Sequence, residues 1–129
     1  IKSYYPDCKI WALEPSKETY FRLQNNIQFN RLKDVETLNI GLWSHSTYLV
    51  PEHSFRDGRD WAFRLVSAKE GENSDFEVIS VEELIKKNNI GIVDFLKIDI
   101  EGAEKLIYED VKKNISNLNY IFLEYNKIT

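Results

Sequence analysis

Two carboxylates at the end of an apolar segment are the residues of this sequence best placed to do chemistry. Asp99 and Glu101 follow the apolar run Val93–Ile98 and are separated by one residue, so their side chains lie on the same side of an extended chain. Gly102 then allows a sharp turn into the next element. Such a pair could bind a divalent cation, or accept hydrogen bonds from an amine or a hydroxyl group. Because two like charges are costly to bring together without a purpose, the pattern favours a functional pair over two solvent-facing acids.

Glu14 is a second candidate, because it follows the short apolar run at residues 9–13 and precedes a Pro15-Ser16 break. In open α/β sheets, ligands bind beyond the carboxyl ends of the strands. A carboxylate at that position accepts hydrogen bonds from ribose hydroxyl groups. It can equally be an exposed acid that the N-terminus of the following helix stabilises. The sequence leaves both interpretations open.

Alternating strand and helix patterns position these acids. Tyr20, Leu23 and Ile27 recur at helical spacing behind Ser16, a typical N-cap, and predict a helix over residues 17–29. Ser80 and Glu83 fit a capping box that opens a short helix ending near residue 88. A third helix is predicted over residues 103–113, and strands over residues 9–13, 35–40, 76–79, 93–98 and 120–125. This alternation predicts an α/β fold with a parallel sheet.

Residues 42–75 interrupt the alternation and have no helical period. They are interpreted as a loop-rich insertion with hairpin strands near residues 48–50 and 63–67. Loops at the mouth of a rigid sheet carry specificity contacts, so the acceptor of any reaction is expected to meet this insertion. Trp61 could stack on a sugar there, although a packing role in an ordinary hairpin is favoured. Its two histidines, His45 and His53, lack the accompanying ligands of a zinc site.

Composition limits the remaining classes of function. The chain has 129 residues, a net charge of −4 and one cysteine, Cys8. The length fits a single domain, and the acidic balance provides no basic surface for nucleic acid. One cysteine excludes an internal disulfide, and no apolar stretch is long enough for a membrane span. The lack of a targeting signal favours the cytoplasm.

Taken in order, several segments resemble the FkbM-type methyltransferases. The most specific is VDFLKIDIEGAE at residues 93–104. The others are EPS at 14–16, LxxNIxxN at 23–30, NIGLWS at 39–44, ISVEEL at 79–84 and YIFLEY at 120–125. The resemblance implies a Rossmann-like class I methyltransferase that uses S-adenosylmethionine, with a mostly parallel sheet flanked by helices. Members of this kind methylate an oxygen of a sugar or a natural product, so the implied partner is a small-molecule or glycan acceptor.

The same resemblance implies roles for individual residues. Glu14 would hold the ribose hydroxyl groups of the cofactor, and Asn39, Gly41 and Leu42 would lie near its adenine. Asp99 would face the methionine part of the cofactor or the acceptor, with Glu101 beside it. No metal ligand is implied. Glu104 is interpreted as a surface acid that complements the helix dipole.

The sequence departs from the family at its N-terminal end. The family opens with a strand and a glycine-rich cofactor loop, whereas this chain begins at Ile1 and contains no methionine and no G-x-G near its start. The sequence is therefore expected to be the central part of a longer enzyme, with a fold incomplete at the N-terminus. Alone, it is expected to bind cofactor poorly unless a neighbouring chain in an oligomer completes the sheet.

Two other classes of function remain open. A metal-dependent glycosyltransferase could use Asp99 and Glu101 to hold a metal and a nucleotide-sugar diphosphate. A non-catalytic Rossmann-like module could use the aromatic insertion as a protein interface. For methyl transfer to an alcohol, the general base could be Asp99, Glu101, His45 or Glu124, and position favours Asp99 with Glu101 as support.

Overall fold

The computed structural model describes residues 1–45, 47–51, 65–67, 76–100 and 104–123, and it gives only the backbone of residues 47–51, 65–67, 76 and 123. The chain divides into two compact units, Ile1–Gly41 and Leu42–Thr129. Each unit contains a helix between two parallel strands, which confirms the predicted α/β class.

The first unit consists of β1 (Ile10–Leu13), α1 (Lys17–Phe29) and β2 (Val35–Leu38). β1 and β2 pair in parallel along their whole length. The helix has the bounds that the sequence predicts, whereas β2 ends at residue 38 and not at residue 40. The strand stops there because Asn39 turns its side-chain amide to the loop after β1, where it donates to the carbonyl oxygen of Glu14.

Both ends of α1 are capped by local hydrogen bonds. Ser16, the predicted N-cap, accepts a hydrogen bond from the backbone N–H of Thr19 at 3.4 Å. At the other end the N–H of Leu32 donates to the carbonyl oxygen of Ile27 at 3.0 Å, across Arg31 with a φ of 51°. This is the bonding pattern of a Schellman motif, in which a left-handed residue ends the helix.

Four short strands form a sheet in the order β3-β6-β4-β5. They are β3 (Gly41–Leu42), β4 (Thr47–Pro51), β5 (Leu65–Ser67) and β6 (Phe76–Ile79). β4 and β5 correspond to the hairpin strands predicted near residues 48–50 and 63–67, while residues 63 and 64 lie outside the described chain. β4 pairs antiparallel with both β5 and β6.

β3 is a strand that the sequence did not predict. Gly41, just after the predicted strand at residues 35–40, opens this two-residue strand beside β6, and just beyond it the N–H of Trp43 donates to the carbonyl oxygen of Ile79 at 3.0 Å. Two residues are too few to show a period in the sequence. The strands of the described residues form three small sheets and not one continuous sheet.

The second unit continues with α2 (Val81–Lys87), β7 (Val93–Ile98), α3 (Glu104–Asn114) and β8 (Leu118–Leu123). β7 and β8 pair in parallel. β8 begins two residues before its predicted start, because the N–H of Val93 already pairs with the carbonyl oxygen of Asn117 at 2.9 Å. Residue 103, the predicted start of α3, and residues 124–125, the predicted end of β8, lie outside the described chain.

The core of the second unit combines the ends of strands with one side of each helix. Its buried apolar side chains are Leu42, Val78, Ile79, Val81, Leu84, Ile98, Ile107 and Val111. On α3, Ile107 and Val111 are buried, whereas Leu106 is half exposed. β7 buries Ile98 but leaves half of Phe95 exposed. Among the described helices there is none with the length and apolar character needed to cross a membrane.

Candidate functional site

In the first unit, Glu14 lies directly after β1, where the chain turns toward α1. Its backbone N–H extends the pairing with β2 by donating to the carbonyl oxygen of Leu38 at 3.1 Å. Its side chain is half-buried, and Oε1 accepts a hydrogen bond from the backbone N–H of Ser16 at 2.8 Å. Since Ser16 also caps α1, the helix start fixes the position of this carboxylate. Oε2 has no hydrogen-bond donor among the described residues and is therefore available to a ligand.

Asn39 meets Glu14 at the same edge of the parallel strand pair. The Nδ2 atom of Asn39 donates to the carbonyl oxygen of Glu14 at 2.8 Å and to that of Pro15 at 3.0 Å. The side chain thus ties the end of β2 to the turn after β1. The structure brings these two predicted residues together, while their roles in binding a cofactor stay predictions.

The other two residues predicted near the adenine are placed differently. Gly41 and Leu42 form β3 and are both buried, and Leu42 is 8% exposed. The side chain of Leu42 is therefore a packed apolar group. An apolar residue of this kind can offer van der Waals contact and backbone hydrogen bonds to a planar ring, but no polar side-chain group.

In the second unit, Asp99 follows the buried end of β7. Its Oδ2 atom lies 2.9 Å from Nζ of Lys97, with about half of each side chain exposed. Asp99 is thus one partner of Lys97. Asp94, the other acid close in sequence, accepts a hydrogen bond from Nδ2 of Asn119 at 3.0 Å. The ion pair orients the Asp99 carboxylate at the carboxyl end of the strand.

Other predicted residues cannot be placed or stand apart. Glu101, Glu124, His53 and Trp61 lie outside the described residues. His45 is exposed, and its Nδ1 atom lies 3.1 Å from Oγ of Ser44. Among the described residues, no three histidine, cysteine, aspartate or glutamate side chains lie close enough together to hold a metal ion.

Glu104 is buried, which differs from the sequence prediction. Its interpretation as a surface acid is wrong, because the first residue of α3 is only 6% exposed. The signal was present in the spacing: Glu104, Ile107 and Val111 recur at i, i+3 and i+7, which places all three on one side of a helix. Reading only the apolar residues of that stripe hides the carboxylate that shares it.

Comparison with known proteins gives one family. The family model of the methyltransferase FkbM domain matches residues 2–129. No curated protein and no solved structure matches the chain significantly. The match covers β1 through β8, and thus Glu14, Asn39 and Asp99 together.

Proposed function

Because the chain belongs to the FkbM methyltransferase family, we propose that it transfers a methyl group from S-adenosylmethionine to a hydroxyl oxygen of a sugar or a natural product. The family match to residues 2–129 carries the proposal. The two β–α–β units support a Rossmann-like class I fold, since folds of this kind are built from such units. Residues 1–129 then form a single domain, with residues 42–75 as its insertion.

Glu14 is proposed to bind the ribose of the cofactor. Its Oε1 atom is held by the N–H of Ser16, which leaves Oε2 to accept hydrogen bonds from hydroxyl groups. A carboxylate at the end of a strand beside a helix start is the arrangement that dinucleotide-binding folds use for ribose. Asn39 supports this position through the carbonyl of Glu14. Gly41 and Leu42 would then lie against the adenine.

Asp99 is proposed as the general base, with Glu101 in support. When bound, the cofactor would supply an electrophilic sulfonium methyl group. Transfer of the methyl carbon to the acceptor oxygen would leave the electron pair of the broken carbon–sulfur bond with the thioether. The acceptor hydroxyl must lose its proton in this process, and a carboxylate within hydrogen-bond reach accepts it. Lys97 orients the Asp99 carboxylate from 2.9 Å, and such positioning provides much of the acceleration in displacement reactions.

The experiment that tests the proposal is a calorimetric titration with S-adenosylhomocysteine. It is carried out with this chain and with the longest reading frame that contains it. We expect binding in at least the longer form. If neither form binds, S-adenosylmethionine-dependent methyl transfer is wrong for this protein. A manganese titration then separates a metal-dependent glycosyltransferase, which must bind the metal, from a non-catalytic module.

A further inference from the structure

One face of the β7–β8 strand pair carries exposed aromatic side chains. Phe95 lies beside Tyr120 in the register of the two strands, and Phe122 lies beside Lys97. Because every second residue of a strand points to the same side, these four side chains share one face of the pair. Phe95 is 52% exposed, Tyr120 72% and Phe122 48%, and we refer to these three residues as the aromatic face. Exposed apolar groups that cluster on one surface mark a binding site.

The opposite face of the same strand pair contributes to the core. It carries Leu96 beside Ile121, and Ile98 at the end of β7. None of these three side chains is exposed, and Ile98 is 1% exposed. The pair therefore packs through this face, and the aromatic face is left on the outside of the unit.

The proposed base lies at one end of the aromatic face. Oδ2 of Asp99 is 2.9 Å from Nζ of Lys97, which places the carboxylate on the same side of β7 as the lysine. Lys97 is in turn the neighbour of Phe122. From the spacing between strands and the rise per residue, the Cα atoms of Phe122 and Asp99 lie roughly 8 Å apart. A molecule that brings a hydroxyl group to Asp99 thus meets Phe122 as well.

We propose that the aromatic face binds the sugar ring of the methyl acceptor, with Phe122 as the side chain on which the sugar stacks. The inference rests on the proposed function, in which Asp99 accepts the proton of an acceptor hydroxyl group. The C–H groups on the faces of a sugar carry partial positive charge and are attracted by the negative face of an aromatic ring. The hydroxyl groups around its edge donate to Asp99 and accept from Lys97. A purely apolar ligand would cover both charges without forming hydrogen bonds to them, which is costly.

Binding of simple sugars tests the inference without a methylation assay. The probes are the methyl glycosides of glucose, galactose, mannose and rhamnose, which differ in their hydroxyl groups but all have C–H groups on the ring faces. Saturation-transfer NMR measures their binding to the form of the protein that binds S-adenosylhomocysteine, saturated with that ligand. We expect at least one glycoside to bind, with saturation transferred mainly to its ring C–H protons. Phe122→Leu keeps an apolar side chain but removes the aromatic ring, and should weaken this binding about fivefold.

Three further variants control for shape and folding. Phe122→Tyr keeps the ring and should bind the glycoside like the wild type. Phe29→Leu makes the same change as Phe122→Leu at an exposed position of α1 and should have no effect. Tyr120→Leu tests a second ring of the aromatic face and should weaken glycoside binding, so that the inference does not depend on the folding of one variant. The affinity for S-adenosylhomocysteine should be unchanged in every variant.

Several outcomes would overturn the inference and leave the proposed function standing. They are glycoside binding that neither Phe122→Leu nor Tyr120→Leu weakens, and a wild-type protein that binds S-adenosylhomocysteine but no glycoside. Sedimentation equilibrium covers the other occupant, a second copy of the chain. A wild-type dimer that Phe122→Leu dissociates would assign the aromatic face to an interface between copies, whereas a monomer agrees with the inference. If no form of the protein binds S-adenosylhomocysteine, the proposed function is wrong and the inference falls with it.

Discussion

α1 in the first unit and α3 in the second each connect two parallel strands, yet they contribute to the structure in different ways. α3 buries Ile107 and Val111, whereas α1 has no buried residue and leaves Phe29 87% exposed. Residues 1–41 are all described, and only Gly41 among them is buried. The same order of elements is therefore stabilised by caps and short-range hydrogen bonds in one unit and by a packed core in the other.

This difference extends to the candidate site. Glu14 and Asn39 are positioned by hydrogen bonds to the backbone of the turn between β1 and α1. Asp99 instead follows the buried end of β7. Cofactor binding by Glu14 and Asn39 should respond to changes in local hydrogen bonding. The position of Asp99 should respond to changes in the core, since packed cores resist small adjustments.

The largest effect is expected when the core itself is changed. Ile107→Ala removes a side chain that is 0% exposed, and truncations of this kind cost about 2–5 kcal/mol in the free energy of unfolding. Phe29→Ala on α1 is the matched control, for which a change within about 0.5 kcal/mol is expected at an exposed position. Urea denaturation measures both variants. Equal losses in the two would remove the distinction between the units.

Next in size is the effect of Asp99→Asn, which removes the proposed proton acceptor and keeps the shape of the side chain. Turnover with an acceptor that the wild-type protein methylates should fall at least about tenfold. The affinity for S-adenosylhomocysteine should change only modestly, because the ribose contact belongs to the first unit. Asp94→Asn is the control, since Asp94 lies on β7, the strand that Asp99 follows, and pairs with Asn119. Unchanged turnover in Asp99→Asn would exclude Asp99 as the base.

Sequence reasoning succeeded where a pattern is long and local. The bounds of α1 follow from its period and from the N-cap Ser16, and β7 follows from a six-residue segment in which four residues are apolar. It missed β3, because two residues carry no pattern. It also missed the burial of Glu104, because burial depends on what packs against a helix and not on the type of residue alone.

Within the site, the sequence indicated positions but not partners. Glu14 and Asp99 directly follow β1 and β7, as the predicted strand bounds imply. The fold topology then fixes the edge of the sheet at which such residues lie. The hydrogen bond from Ser16 to Oε1 of Glu14 depends on turn geometry, and the choice of Asp99 over Asp94 as a partner for Lys97 depends on side-chain direction. Neither can be derived from spacing.

A smaller effect is expected for Glu14→Gln, which tests the first unit as the ribose-binding part. Glutamine keeps one acceptor oxygen but loses the charge, and a hydrogen bond to a neutral acceptor is weaker than one to a carboxylate by about 1 kcal/mol. The affinity for S-adenosylhomocysteine should fall about fivefold, with turnover at saturating cofactor unchanged. Glu18→Gln, an exposed acid in the first turn of α1, is the control. A loss of turnover at saturation would instead place Glu14 in the chemical step.

The smallest change compares the helix ends of the two units. Arg31 and Asn89 both have left-handed backbone angles, with φ of 51° and 49°, and both follow a helix whose last turn closes with a Schellman bond. Arginine is strained in this region, whereas asparagine tolerates it. Arg31→Gly should therefore raise the free energy of unfolding by about 0.5–1 kcal/mol, and Asn89→Gly by less, after allowing for the added freedom of glycine in the unfolded chain. The urea midpoints of the two variants measure this order. Because the first unit depends on its local caps, relief of strain at Arg31 should stabilise it, and a lower midpoint for Arg31→Gly would show that this cap does not limit the stability of the unit.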